Sequence, residues 1–415
     1  MNGKYKQAQA RELTAQWQQT HLLQFYDELP TQAQDELLDQ IISCDFARIS
    51  QLYEQTRQTP AATGSEIRPL PVTDKAILTP AQRDEMQAVG LAAMRRGEYA
   101  VVTMAGGQGT RLGYDGPKGT FRLMLEREQS LFEIYLEKIV VCSRACGQSI
   151  PWYIMTSAEN HQATTAYFAA RDNFGYPDIH FFQQGSLPMV DMSGRIILEE
   201  KHRIKEGPDG NGSIFRAMQR SGVAGDMQNR GIRWFFIGNV DNILAQCTDP
   251  LPLGLTIQRR SLAISKSIIK RDPTEKVGVF CLRNGHPSVV EYSELPLALA
   301  EQRNGAGELI FGDAHISCTV MSTAVLELPG VLAMPYHTAV KKAAYVNEQG
   351  DKVVPAQPNA YKFEAFIFDA FASLDRLEVL RVPREEEFAP VKNAAGEDSP
   401  ATAAQLYLNH YRLTR

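Results

Sequence analysis

Residues 103–121 read TMAGGQGTRLGYDGPKGTF, directly after the apolar stretch YAVVTM. Gly106, Gly107, Gly109 and Gly113 let a backbone turn tightly and approach a ligand closely. Successive N–H groups in such a turn form a concavity for anions. Thr110 adds a hydroxyl, and Arg111 and Lys118 add positive charge. Pro117 stiffens the approach to Lys118. Two cations beside a nest of amides suit a phosphoryl group whose charge grows during transfer. The order G-x-x-x-x-G-K-[ST] is absent, so this is not a P-loop, and the dinucleotide pattern G-x-G-x-x-G is only loosely approximated.

Three further groups have residue types suited to chemistry. In GPDGNGSIF, residues 207–215, Gly210 and Gly212 free the backbone. Asn211 offers a donor and an acceptor, as base or ribose recognition needs; a plain turn fits the same residues. In GNVDN, residues 238–242, Asp241 ends an apolar strand. The carboxyl edge of a doubly wound sheet is where ligands bind. Asp241 there suits a magnesium ligand, or it caps a helix over NILAQ. Among later residues, Lys270 ends a strand, and Glu291 and Tyr292 close another, where a carboxylate and a hydroxyl suit sugar hydroxyls or a plain strand edge. Lys362 is expected to open a helix, where a cation opposes the dipole and points to an anionic partner. Lys392 is a weaker candidate of that kind.

The elements that must position these residues follow from periodicity. Residues 1–95 read as mainly helical, with an extended arm over TPAATGSEIRPLPVTD. Thr31 with Gln34, and Thr79-Pro80 with Gln82, mark helix starts. From Tyr99 onward, short apolar strands alternate with amphipathic helices. SLFEIYLEKIVVCSRACG is one such helix, with Ser130 and Glu133 as its capping pair. That alternation predicts an α/β fold with a mostly parallel sheet and helices on both faces. Beyond residue 256 antiparallel strands take over. Asn284-Gly285 signals a hairpin, AAYVNEQGDKVVP a second one, and YKFEAFIFDAF a helix.

The chain has 415 residues, 44% hydrophobic and 22% charged, with net charge -5. A sizeable core is easily supplied. Mildly acidic charge speaks against a broad nucleic-acid or anionic-membrane surface. Neither a spanning apolar run nor a secretory signal is evident. Six cysteines form no C-x-x-C pair, which fits free thiols in a reducing cytoplasm. No protein partner is evident.

The sequence resembles the eukaryotic-type UDP-N-acetylhexosamine pyrophosphorylases, within the wider UTP–sugar-1-phosphate uridylyltransferase family. The resemblance rests on AGGQGTRLG-x4-PKG, PWYIMTS, FFQQGSLP, ILEEK, PDGNG, VDNIL, DPTEKVGV, VVEYSE, KFEAFIFD and VPREEEFAPVKNA, in that order over about three quarters of the chain. It implies a Rossmann-like, GT-A-like nucleotidyltransferase domain at 96–345 with a mixed, mostly parallel sheet. A helical N-terminal region at 1–95 and a C-terminal region at 346–415 that completes the sugar-phosphate site would flank it. The implied substrates are UTP and a sugar 1-phosphate, with Mg²⁺ or Mn²⁺. Gly106, Gly107, Gly109, Thr110, Gly210 and Asn211 would hold the nucleotide. Arg111, Lys118 and Lys362 would face phosphates, Asp241 the metal and Glu291 the sugar hydroxyls; Tyr292, Lys270 and His315 are further sugar-site candidates, and His315 either lines the pocket or faces away as plain packing.

Two departures stand out. Where the family's hexosamine enzymes carry F-N-A-G-N-I, this chain reads FGDAHI, with His315 in place of the second Asn. The chain also stops soon after its terminal helix, where longer relatives continue, a departure that bears on assembly. The family's base-contacting Gln comes after FFQQGSLP, in a stretch replaced here by SLPMVDMSGRI, so no uracil contact is carried over. The other readings are a glucose, galactose or broad-specificity enzyme, a non-catalytic sugar-nucleotide sensor, and an NAD-dependent oxidoreductase. Retention of Arg111, Lys118 and Asp241 opposes the sensor, and the lack of a clean dinucleotide fingerprint opposes the oxidoreductase.

Overall fold

The computed structural model describes residues 3–57 and 66–413. It contains two compact units, each discontinuous in sequence. The larger gathers Ser65–Gln184, Ile214–Met334 and Ile367–Arg415. The smaller gathers Met1–Gly64, Gly185–Ser213 and Pro335–Phe366.

The larger unit is built on an eleven-stranded sheet. Tyr99–Met104, Trp152–Thr156, Ile179–Gln183 and Trp234–Asn239 run parallel as neighbours. The long strand Asp313–Ser322 is antiparallel to Trp234–Asn239 on one side and to Ala263–Ile269 on the other. Side chains of a strand alternate between faces. Tyr99 and Val101 accordingly join one apolar core, while Ala100, Val102 and Met104 join another. Such a sheet needs helices on both faces, and the α/β expectation with a largely parallel sheet holds.

Local signals fixed several elements. Ser130 and Glu133 form the expected capping box of helix Leu131–Cys146, and Thr79 and Gln82 that of Pro80–Arg95. Asn284 and Gly285 take φ of 53° and 86°, as the tight turn between Val279–Arg283 and His286–Val290 requires. Part of the extended arm lies in the described residues: Ile67–Pro69 pairs with Val279–Arg283, and Thr73–Asp74 with Glu378–Arg381. Residues 59–65 of the arm lie outside them. All six cysteines are free, and Cys142 and Cys146 stand 3.9 Å apart, sulfur to sulfur. No described helix is long and apolar enough to cross a membrane.

The smaller unit packs helices Gly3–Gln16, Thr31–Ser43 and Phe46–Arg57 around Leu22, Leu37, Leu38, Ile41, Val190, Leu198 and Phe363. Two expectations are corrected there. Helix Thr31–Ser43 has Pro30, not Thr31, at its cap, and the Gln34 amide donates to Tyr26 O instead. Tyr345–Val346 and Lys352–Val353 do form the second hairpin.

The larger correction concerns Lys362. It does not open a helix but sits within strand Ala360–Glu364, antiparallel to His337–Lys341, and a 3₁₀ stretch, Ile367–Ser373, follows. The argument from an opposed helix dipole therefore falls. The physical reason lies in the backbone. Ala365 N–H donates to Asp209 O, and Ala365 O accepts from Gly212 N–H, a pairing no helix interior offers.

Candidate active site

The glycine-rich loop leaves the strand Tyr99–Met104 at its carboxyl end and closes on itself. Lys118 N–H donates to Gly107 O, and Gly109 N–H to Gly116 O. Buried Asn160, which the sequence reading did not single out, fastens the loop from behind. Its Nδ2 donates to Ala105 O at 2.9 Å and Gly107 O at 3.3 Å, and its Oδ1 accepts from Ser157 N–H. An Asn preceding a helix looks like an ordinary cap, so nothing in the sequence marks this role. Gln184, the last residue of FFQQ, lies against the loop. A Cβ on Gly106 would stand 2.8 Å from its Oε1.

Lys118 turns its ammonium onto Asp241, with Nζ 2.7 Å from Oδ2. The two side chains are only 16% and 17% exposed. Arg111 and Thr110 are exposed on the rim, and Arg111 makes no ion pair or hydrogen bond among the described residues. Lys118 of the loop and the carboxylate of GNVDN thus meet at one sheet edge. The alternative for Asp241 is removed: residues 241–246 form no helix, and the next helix starts at Pro250, capped by Asp249. Among the described residues no three carboxylate, His or Cys groups gather as a metal cage. Of these residues only Asp241 would offer a magnesium ion a carboxylate, so any such ion would depend on substrate phosphates and water for the rest of its ligands. That is the usual way such ions are held.

Glu291 and His315 flank Gly278. A Cβ on Gly278 would stand 3.2 Å from Glu291 Oε1, and Gly278 O accepts from His315 N–H. The His315 ring is edge-on to Phe280, Phe368 and Phe371, at 5.3, 6.0 and 5.8 Å between centroids. Its Nε2 is buried without a hydrogen-bond partner among the described residues. Burial pushes the imidazole down to about 4, so it is neutral near pH 7. Tyr292 is 49% exposed. Lys270 is buried, its Nζ donates to Pro273 O, and desolvation lowers its pKa.

In the smaller unit, Gly210 has φ +90°, and a Cβ there would stand 2.2 Å from Ala365 O, so only glycine fits. Asn211 follows it. The Lys362 stem crosses Gly207, and its Nζ pairs with Glu364 Oε1 at 2.7 Å.

Three comparisons show what the chain is similar to. The family model described as UTP–glucose-1-phosphate uridylyltransferase matches residues 45–408. The human UDP-N-acetylhexosamine pyrophosphorylase-like protein 1 is 35% identical over 95% of this chain and 82% of its own length. The UDP-N-acetylglucosamine pyrophosphorylase of Saccharomyces cerevisiae is 35% identical over 94% and 87%. Among solved structures, that of the uridine diphosphate N-acetylglucosamine pyrophosphorylase from Trypanosoma brucei, in complex with an inhibitor, superposes with TM-score 0.81. It is 30% identical and covers 99% of this chain and 85% of that one.

Proposed function

Because the chain belongs to the UTP–glucose-1-phosphate uridylyltransferase family, we propose that it joins UTP to a hexosamine or hexose 1-phosphate, giving a UDP-sugar and pyrophosphate. The observation that carries this reading is the Lys118–Asp241 pair at the mouth of the glycine-rich loop. A cation and a carboxylate in contact there serve a phosphate and a divalent ion together. Hydride transfer from NAD needs no divalent ion beside a triphosphate.

The chemistry needs position and charge neutralisation more than a base. A phosphate oxygen of the sugar 1-phosphate attacks the α-phosphorus of UTP. The bond from that phosphorus to the β-bridging oxygen breaks, and pyrophosphate leaves with the electron pair. A sugar phosphate dianion is already a competent nucleophile. Loop amides and Arg111 hold the triphosphate, and Lys118 neutralises charge at the α-phosphate. When phosphate oxygens draw Lys118 away, Asp241 is left with a free carboxylate oxygen. Magnesium, or manganese in its place, held there would neutralise further charge on the triphosphate. Gln184 presents a donor and an acceptor beside Gly106, as the edge of uracil requires. Asn211 is assigned a nucleotide contact and Lys362 a phosphate. Glu291 is assigned the sugar hydroxyls, with Tyr292 and Lys270 as lesser contacts. Six unpaired thiols favour a cytoplasmic location.

The acceptor sugar turns on His315. An imidazole is larger than the carboxamide it replaces, and facing the sugar it would take up space that an N-acetyl group fills in relatives. An unsubstituted hexose 1-phosphate is therefore expected to serve at least as well as its N-acetylamino counterpart. The reading is tested with UTP carrying a chiral thiophosphate at the α-position. Turnover with inversion at phosphorus supports in-line attack. Retention excludes a single direct displacement by the sugar phosphate, and tight binding of UDP-sugar without any turnover returns the sensor reading.

A further inference from the structure

Asp241 stands in residues 240–246, a segment with neither strand nor helix to hold it. A carboxylate that must meet a cation within tenths of an ångström needs its backbone fixed by other means. One side of the segment is fastened by the stretch after Arg384. Asn242 Nδ2 donates to Glu387 O at 2.7 Å, Ala389 N–H to Asn242 Oδ1 at 2.9 Å, and Val391 N–H to Asp241 O at 2.9 Å. The opposite side faces helix Leu131–Cys146, and there two side chains take four carbonyls. The Tyr135 hydroxyl reaches Asn239 O at 2.7 Å and Asn242 O at 3.2 Å. Lys138 Nζ donates to Ile243 O at 2.7 Å and Ala245 O at 2.8 Å.

Lys138 is an unusual choice for such a place. Among the described residues it has no carboxylate partner, although its ammonium is largely withdrawn from water. An unpaired buried charge is costly and is kept only where its hydrogen bonds are needed. Tyr135 is wholly buried and Lys138 one helical turn further on, so both reach the same segment from one helix face.

We infer that Tyr135 and Lys138 are positioning residues that hold Asp241 in its working place by clamping the carbonyls on both sides of it. The inference rests on the reading of Asp241 given above. It assigns no contact between these two side chains and the substrate.

The test compares Tyr135→Phe, Lys138→Met and Lys138→Arg with Asp241→Asn. Tyr135→Phe removes one hydroxyl and keeps the ring, so it reports even if Lys138→Met fails to fold. Tyr135→Phe and Lys138→Met are expected to lower kcat about tenfold or more while the KM for UTP moves less than about threefold, because misplacement acts on the transition state. Lys138→Arg is expected to recover much of the loss. Calorimetric titration of Mn²⁺ into enzyme with UTP, without acceptor sugar, should show weakened binding in the first two variants. Added to Asp241→Asn, Tyr135→Phe should cost almost nothing further, since both act through one group. If Asp241→Asn is impaired while Tyr135→Phe and Lys138→Met retain wild-type kcat and Mn²⁺ binding, the clamp is overturned. If Asp241→Asn itself behaves as wild type, the reading of Asp241 fails first and the clamp falls with it.

Discussion

Asp241 and His315 both belong to the larger unit, and their surroundings are opposite in kind. Around Asp241 polar groups are matched: Lys118 holds its carboxylate, Val391 its carbonyl, and Tyr135 and Lys138 the carbonyls beside it. Around His315 three phenylalanine rings surround an imidazole whose Nε2 has no partner among the described residues. With the carbonyls around Asp241 held from both sides, its carboxylate can stay in place when Lys118 turns to the phosphates, which limits reorganisation as charge develops. A buried group left unmatched carries a standing cost that a ligand can remove. The contrast separates a held place, where the reaction is proposed, from an unsatisfied place proposed to discriminate between acceptor sugars.

The largest expected effect comes from breaking the matched region. Lys118→Ala should lower kcat by about 10²-fold or more, and raise the KM for UTP by less, if the cation acts chiefly in the transition state. Steady-state kinetics decide this, and near-normal kcat rules the role out. Next, the wild type should lose activity on thorough chelation and regain it with Mg²⁺ or Mn²⁺, and Asp241→Asn should need much more of either ion. Full activity after chelation defeats the metal assignment.

The unmatched region should answer differently. His315→Asn should shift the ratio of kcat/KM toward N-acetylated sugars by about 1–3 kcal/mol if one buried polar contact decides the preference. Competition assays with glucose, galactose, N-acetylglucosamine and N-acetylgalactosamine 1-phosphates measure it. A wild-type preference for an N-acetylated sugar above about tenfold, unchanged in His315→Asn, removes His315 from the pocket. The smallest effect concerns acid stability. The folded imidazole has its pKa lowered from 6.5 to about 4, so the unfolded chain binds a proton the folded chain refuses. Its contribution is intact above pH 6.5 and is lost as pH falls toward 4, by about 1 kcal/mol or more. Denaturant melts of wild type and His315→Phe should diverge in that window. Parallel curves contradict a neutral buried imidazole.

The matched region was the more legible in sequence. Glycines, two cations and a strand-ending Asp each have a local meaning, and their order already joined them. The Asn284-Gly285 turn was equally plain, because few other pairs take positive φ twice. Lys362 was misplaced because aromatic residues in KFEAFIFD fit a helical period and a strand period alike. Pairing with His337–Lys341 decided between them, and no local signal carries that. Asn160, Tyr135 and Lys138 were passed over for a related reason. Each is an ordinary helix or cap residue until its partner, distant in sequence, is known. The aromatic surroundings of His315 likewise join Phe280 to Phe368 and Phe371, which share one segment distant in sequence.

The most direct measurement is pyrophosphate release at saturating UTP, with Mg²⁺ and each of the four sugar 1-phosphates, for wild type and Lys118→Ala side by side. Uridylyl transfer at the Lys118–Asp241 edge requires release that depends on both UTP and a sugar 1-phosphate, with an equimolar UDP-sugar formed, and a collapse of that release in Lys118→Ala. Absence of release with every sugar, or equal release by the two proteins, would contradict it.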